Sequence, residues 1–413
     1  MALEDLVRSV TRGPVTRIVR RHLDDIAGLE NLPLDEAFVL APNHRSYFDH
    51  FVVQIVVGAV TGRPVWFLTK RESFERALPR IWARSWFGVP VDRGAPSPGV
   101  LKHVREVLDA GDALCVYPEG TRNEGEGLLP FLPGAFRFAS SSDVAVVPVA
   151  ITGTTDVLRR GDRWFRRGGH VRIAFGAPRR REPGSGSRAA AGLLAEGTRR
   201  DVEDLLDALH RRPERDVEGA GIADAADHIV STALDEQGRL PLHEVRRLAT
   251  FLALLAATDR GRRAARSQTA RVIGLLALRL PKSLRIVPAL LVRHLVQGVL
   301  AQEPADRTAN YLAGRWHLAV PRRLGGSSSE AVRAFERSAV ASESGDLRAL
   351  SGLVDALRAA GDREASQEVL RRMAAVERPL TAHDRLRRDR ARELCDARPA
   401  PAASVLASPR ERA

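Results

Sequence analysis

Ala37-Phe38-Val39-Leu40-Ala41-Pro42-Asn43-His44-Arg45-Ser46-Tyr47-Phe48-Asp49 opens with five apolar residues, closes them with a proline and a polar loop, and runs into a helix-length apolar stretch over 49–60. A short apolar run bounded by turn residues and followed by a longer one reads as strand, loop and helix. The pattern recurs. Residues 64–68, 113–117, 145–151 and 171–175 are apolar enough for strands, Gly88-Val89-Pro90-Val91 makes a further short one, and helix-length stretches lie at 72–86 and 97–110. Alternation of this kind predicts an α/β domain, a mixed and largely parallel sheet flanked by helices. Pro90 lacks the amide that a ladder needs, so its strand is expected at an edge or end of the sheet.

Working outward, a turn-rich segment over 176–187 leads to a closing helix at 188–212, and nearly everything beyond 215 reads as helix. The expected architecture is an amphipathic N-terminal helical segment (1–30), the α/β domain (31–212), an all-α region made of a helical domain (213–303) and helical hairpins (304–385), and a disordered tail (386–413). The hairpins rest on a repeat: Glu330-Ala331 with Phe335 and Ala341 returns as Glu364-Ala365 with Val369 and Ala375, 34 residues on. That is the tetratricopeptide period, and Tyr311-Leu312-Ala313-Gly314 is similar to Ala349-Leu350-Ser351-Gly352 in the preceding helices. The first copy needs a longer inter-helix loop to align. Such a stack suits a protein partner; an ordinary helical bundle is the alternative.

The chain has 413 residues with 64 basic and 51 acidic groups, net +13. Residues 1–150 carry 17 basic and 18 acidic groups, against 12 and 4 over 151–200 and 9 and 1 over 251–300. The surplus is therefore local. It includes no nucleic-acid-binding motif, and no such partner is expected. Cys115 and Cys395 are too far apart in sequence to suggest a metal knuckle or a disulfide framework, so a reducing compartment is expected and Cys115 should be a buried strand residue. The segment Met1 to Val19 has no signal-like apolar core, and charge interrupts every long apolar stretch. An EF-hand-like loop over 235–244 has Ala233 at the first ligand position, which argues against calcium; no metal site is expected.

His44 and Asp49 are five apart, about 140° from each other on a continuous helix. They can meet if His44 sits on the loop and Asp49 in the first helical turn, with Ser46 as N-cap. Asp49 would then accept the Nδ1 proton and leave Nε2 as a general base. On the residues alone, Ser46-x-x-Asp49 also reads as a simple capping box. Downstream, Pro118-Glu119-Gly120-Thr121-Arg122 closes a strand with glycine, a hydroxyl and a guanidinium, groups that suit anion binding. An ordinary turn with Glu119 paired to Arg122 is the alternative. Asp92-Arg93-Gly94 and Val147-Pro148 follow or form two further strands.

Together and in this order, these segments resemble the glycerolipid acyltransferase family, which contains the 1-acylglycerol-3-phosphate acyltransferases. The likeness rests on His44…Asp49, Gly88 to Arg93, Glu119-Gly120-Thr121-Arg122 and the Val147-Pro148 strand, and covers about residues 30–175. It implies transfer of a fatty acyl group from acyl-CoA or acyl-carrier protein, as co-substrate and with no cofactor, to a lysophospholipid hydroxyl, giving phosphatidic acid. His44 would be the base and Asp49 its orienting partner. Arg93, Gly120, Thr121 and Arg122 would hold the acceptor phosphate, Glu119 would hold the arginines, and Lys70 is a further candidate ligand. Acylation of another lipid or glycolipid hydroxyl, or an inactive scaffold with a protein-binding helical half, are the alternatives.

Such an enzyme must reach a lipid. The basic stretch 8–23 and Trp164-Phe165 among Arg163, Arg166 and Arg167 suit an anionic membrane surface, which places the chain in the cytoplasm, peripheral on the inner face of the cell membrane. Residues 271–300, interrupted by charge and by Pro281 and Pro288, are expected to pack as core.

Overall fold

The computed structural model describes residues 3–92, 97–162, 164–184, 186–211, 219–341, 346–377 and 382–396. They divide into two units, Met1–Val272 and Ile273–Ala413. In the first, strands β1 (Leu23–Ala27), β2 (Phe38–Pro42), β3 (Val65–Lys70), β4 (Gly88–Val91), β5 (Ala113–Cys115), β6 (Ala145–Thr152) and β7 (Val171–Phe175) form one sheet in the order β1-β7-β6-β2-β5-β3-β4. Every neighbouring pair is parallel except β6 and β7. The fold class expected from the sequence is therefore the one observed, and Pro90 lies in an edge strand.

The helices of this unit are α1 (Leu3–His22), α2 (Phe48–Thr61), α3 (Ala77–Ser85), α4 (Pro98–Asp109), α5 (Arg137–Ser142), α6 (Thr154–Val157), α7 (Ser187–His210), α8 (Gly219–Thr232), α9 (Leu242–Leu255) and α10 (Arg262–Ala277), within which the division falls. Side chains alternate across a strand. Val39 and Ala41 of the central β2 pack with Val104 and Leu108 of α4, Ala139 of α5 and Leu194 of α7. Phe38 and Leu40 point to the opposite face and are fully buried. Helix α2, apolar around almost its whole circumference, is covered by β3, α1 and α9. A sheet covered on both faces explains why its central strands read as largely apolar runs.

Strand β1 was hidden. Residues 23–27 fall in the segment expected to be helical, because Asp24 and Asp25 interrupt the apolar pattern. In the fold those carboxylates pair with Arg172 and Arg260, so they are tolerated in an edge strand. Helices α8 and α9 lie in the first unit, where a separate helical domain from residue 213 was expected.

The second unit carries α11 (Ile286–Leu300), α12 (Arg307–Ala319), α13 (Ser328–Val340), α14 (Leu347–Ala360), α15 (Arg363–Ala374) and α16 (Ala382–Asp396). From α11 to α16 each helix packs on the next. Ser327, Asp346 and Asp362 cap α13, α14 and α15 by accepting from backbone amides in their first turns. The two copies of the sequence repeat fall on α12–α13 and α14–α15, and the first pair has the longer connection, 320–327 against 361–362. Gly314 of α12 and Gly352 of α14 both face the Phe335 ring of α13, where a Cβ would approach to 2.7 and 2.3 Å. Helix α16 corrects the tail expected from residue 386, which is helical to Asp396; residues 397–413 lie outside the described residues.

Residues 271–300 also depart from expectation. Pro288 sits in the first turn of α11, where no amide is required, and so does not break it. Val292, Val296 and Val299 are buried, but Val287, Leu290 and Leu291 are exposed, so the segment is only partly core.

Candidate active site

Because β6, β2, β5, β3 and β4 run parallel, their carboxyl ends share one edge of the sheet. Loops at this edge carry the sequence motifs, as expected for open parallel sheets. The loop after β2 is anchored by Asn43, whose amide donates to the Ile151 carbonyl at 3.0 Å and accepts from the Ile151 amide at 2.8 Å. That bidentate pairing extends the β2–β6 ladder by one side chain and presents His44 beyond the strand.

His44 Nδ1 lies 2.9 Å from Asp49 Oδ2. The same oxygen accepts from the backbone amides of Arg45 at 2.8 Å and Ser46 at 2.9 Å. A carboxylate only accepts, so Nδ1 carries the proton and Nε2 is the basic nitrogen. Asp49 is buried in the first turn of α2, where the helix N-terminus favours a negative charge. Ser46 is not the N-cap. Tyr47 takes that position, while Ser46 Oγ accepts from the Phe48 amide at 3.0 Å and donates to the Leu158 carbonyl. Phe48 is fully buried, edge-on to His22 and Phe165. Its burial contributes roughly 2–3 kcal/mol to holding this first turn.

The loop after β5 grips the His44 loop through its backbone. Glu119 Oε1 accepts from the His44 amide at 2.8 Å, Oε2 accepts from Leu129, and the Asn123 amide donates to the His44 carbonyl. This corrects the expectation that Glu119 holds arginines: its buried carboxylate is engaged by two backbone amides. Tyr117, which the motif reading passed over, stacks on the His44 imidazole with ring centres 3.8 Å apart and planes 21° from parallel. Burial beside the Cys115 thiol pushes the Tyr117 hydroxyl well above the usual phenol value. Burial likewise raises Cys115, a strand residue with no exposure, and keeps it in the thiol form.

Gly120 has φ +69°, a left-handed conformation that glycine adopts without strain, and a Cβ at this position would lie 2.8 Å from the Leu132 side chain. Thr121 is exposed. The Arg122 guanidinium lies 3.9 Å over the Tyr47 ring and makes no ion pair among the described residues. Lys70 ends β3 on the same edge, exposed, and no hydrogen bond or ion pair ties it to the His44 loop among the described residues. Arg93 lies outside the described residues; its neighbour Asp92 pairs with Arg71 across the ends of β4 and β3.

A second imidazole adjoins the pair. His50 stacks on Phe67 at 3.6 Å, with Nε2 3.2 Å from the Trp86 carbonyl. Burial pushes it down to about 4, more than the hydrogen bond restores, so it is neutral beside Asp49.

Residues 25–152 match the Acyltransferase family model. A chloroplastic 1-acyl-sn-glycerol-3-phosphate acyltransferase of Brassica napus is 33% identical over 190 residues, 45% of this chain and 51% of that protein. One from Arabidopsis thaliana, also chloroplastic, is 35% identical over 37% of this chain and 43% of its own length. The Bacillus subtilis enzyme of the same name is 28% identical over 36% and 70%. The chain thus spans about half the length of the first two relatives. Among solved structures, the 1-acyl-sn-glycerophosphate (LPA) acyltransferase of Thermotoga maritima is similar with 25% identity, covering 50% of this chain and 83% of that one, at a TM-score of 0.40.

Proposed function

We propose, from the acyltransferase-family segment at residues 25–152, that this chain moves a fatty acyl group from acyl-CoA or acyl-carrier protein to the hydroxyl of a lysophospholipid such as 1-acylglycerol-3-phosphate, giving phosphatidic acid. The observation that carries the reading is the 2.9 Å contact of His44 Nδ1 with Asp49 Oδ2, which leaves Nε2 as the base. Nε2 takes the acceptor hydroxyl's proton, the oxygen attacks the thioester carbonyl, and the C–S bond of the tetrahedral adduct breaks. The imidazolium, stabilised by Asp49, returns the proton to the departing thiolate. No protein nucleophile enters, in keeping with a buried Cys115 thiol.

Arg122 and Thr121 are the groups for the acceptor phosphate, with Lys70 from the end of β3 and Arg93 as further ligands. Arg122 is held over Tyr47 rather than by a carboxylate, so its donors remain for an anion. For membrane placement on the inner face of the cell membrane, support comes from exposed Leu3, Leu6 and Val10, a stripe on α1 among arginines, and from Trp164, 83% exposed.

The test is turnover of purified protein and of His44→Ala with acyl-CoA or acyl-carrier protein and a panel of lysophospholipids and glycolipids. Phosphatidic acid formed by wild type and lost in the folded variant is expected. Equal product from the variant removes His44 as base, and a glycolipid preference moves the acceptor to the alternative class.

A further inference from the structure

Helix α10 ends at Ala277 and α11 begins at Ile286; the corner between them, continued over the first turns of α11, turns its apolar side chains outward. Leu278, Leu280, Leu284, Val287, Leu290 and Leu291 are all exposed, Val287 at 70% and Leu284 at 60%. An apolar cluster of this size on a surface marks an interaction site.

Part of the backbone at the corner is closed on itself. Leu278 donates to Gly274, Leu280 to Ala277, Leu284 to Pro281 and Ala289 to Arg285. The Arg285 guanidinium covers the carbonyls of Leu278 and Leu280 at 2.9 and 2.8 Å. Each peptide group met in this way can enter apolar surroundings without losing its hydrogen bond. Along this stretch of the chain the charge has one sign. Arg279, Lys282, Arg285 and Arg293 accompany the leucines, and no acidic residue stands between Asp259 and Glu303. A protein partner would need only the apolar cluster. An anionic lipid surface matches both the leucines and the cations.

Depth follows from the rest of α11. The stretch Lys282–Leu300 is long and apolar enough to cross a membrane, 19 residues with mean hydropathy 1.3. However, Val292, Val296 and Val299 are buried within the unit, Trp316 Nε1 donates to the Ala289 carbonyl, and the outward positions after Leu291 are Arg293, His294 and Gln297. Only the corner and the first turns are free to enter lipid. We propose that Leu278–Leu291 is a docking surface for an anionic bilayer, its leucines reaching the acyl boundary while the exposed Lys282 meets lipid phosphates. This surface lies outside residues 25–152, and its test needs no turnover.

The experiment is flotation of the full chain with phosphatidylglycerol–phosphatidylcholine vesicles and with phosphatidylcholine alone, for wild type, Leu284→Glu/Val287→Glu, Lys282→Glu and the control Val340→Glu on α13. Expected are preference for the anionic vesicles, at least about tenfold weaker partitioning for the double variant, a loss of several-fold for the exposed charge reversal, and none for the control. Lys282→Glu keeps the test decisive if the double variant misfolds. Unchanged binding by either variant overturns the proposal, as does equal binding of wild type to both vesicles. So does sedimentation showing that the double variant only dissociates a dimer.

Discussion

Asp49 Oδ2 receives His44 Nδ1 and the amides of Arg45 and Ser46 on one oxygen, so the residue that orients the imidazole also shapes the loop that carries it. Replacing it tests both duties at once. In Asp49→Asn the amide oxygen can still accept from the two backbone groups or from Nδ1, but the carboxylate charge that stabilises the imidazolium is gone. We expect kcat to fall about 10²–10⁴-fold with little change in KM or in the thermal transition. A kcat within a few-fold of wild type would remove Asp49 from the mechanism.

The stacking of Tyr117 on His44 fixes the imidazole plane from the side that hydrogen bonds do not reach. Tyr117→Phe keeps the ring and should retain nearly full kcat. Tyr117→Leu should lower kcat about tenfold, with KM held, by letting the imidazole rotate away from Asp49. Equal rates for Phe and Leu at this position would deny the ring a positioning role.

Arg122→Ala should raise KM for a phosphorylated acceptor roughly tenfold or more, the scale of one charged hydrogen bond. A neutral glycolipid acceptor should be unaffected. Steady-state kinetics with both acceptors gives the answer, and a parallel rise for the neutral one would point to a collapse of the loop instead.

His50 predicts a pH dependence of stability. Its folded value of about 4 lies below the ordinary 6.5, so the unfolded chain takes up a proton first as the pH falls. Stability is full above pH 6.5 and declines toward pH 4, by about 1.4 kcal/mol per pH unit from this group. Urea unfolding at pH 7.5 and 5 should show a smaller loss in His50→Gln than in wild type. The same loss in both would assign it elsewhere.

In the second unit, Gly352→Ala places a methyl group 2.3 Å from the Phe335 ring. We expect a loss of about 1–3 kcal/mol in chemical unfolding. Gly361→Ala meets no such neighbour but carries φ +89°, so its cost is backbone strain and should be insensitive to Phe335→Leu, whereas that of Gly352→Ala should shrink.

What could be read from the chain tracks how local each signal is. Strands β2 to β7 were legible because each is built on an apolar run, with Thr69, Lys70, Thr152 and Arg172 the polar members; β1 was not, since Asp24 and Asp25 are matched only by arginines far along the chain. His44 and Asp49 stood out by a spacing that only a loop-to-helix junction reconciles. Ser46 was misplaced as a cap because its hydroxyl is claimed by the Leu158 carbonyl, 112 residues away. Glu119 was assigned to arginines for the same reason: its partners are backbone amides, which no residue pattern advertises. The apolar character of α11 was plain, but which side it shows depends on helices yet to come in the chain.

Strand β1 has β7 as its one neighbour in the sheet, and Asp24 meets Arg172 across 148 residues. During synthesis at ~5–20 residues per second, the first strand therefore waits roughly 7–30 s for its partner to leave the ribosome. Until then Leu23 and Ile26 have no ladder to join, while the His44 loop can already assemble on β2 and α2. A nascent chain arrested before Val171 would carry a nearly formed pocket on an open sheet, the species a chaperone would be expected to hold.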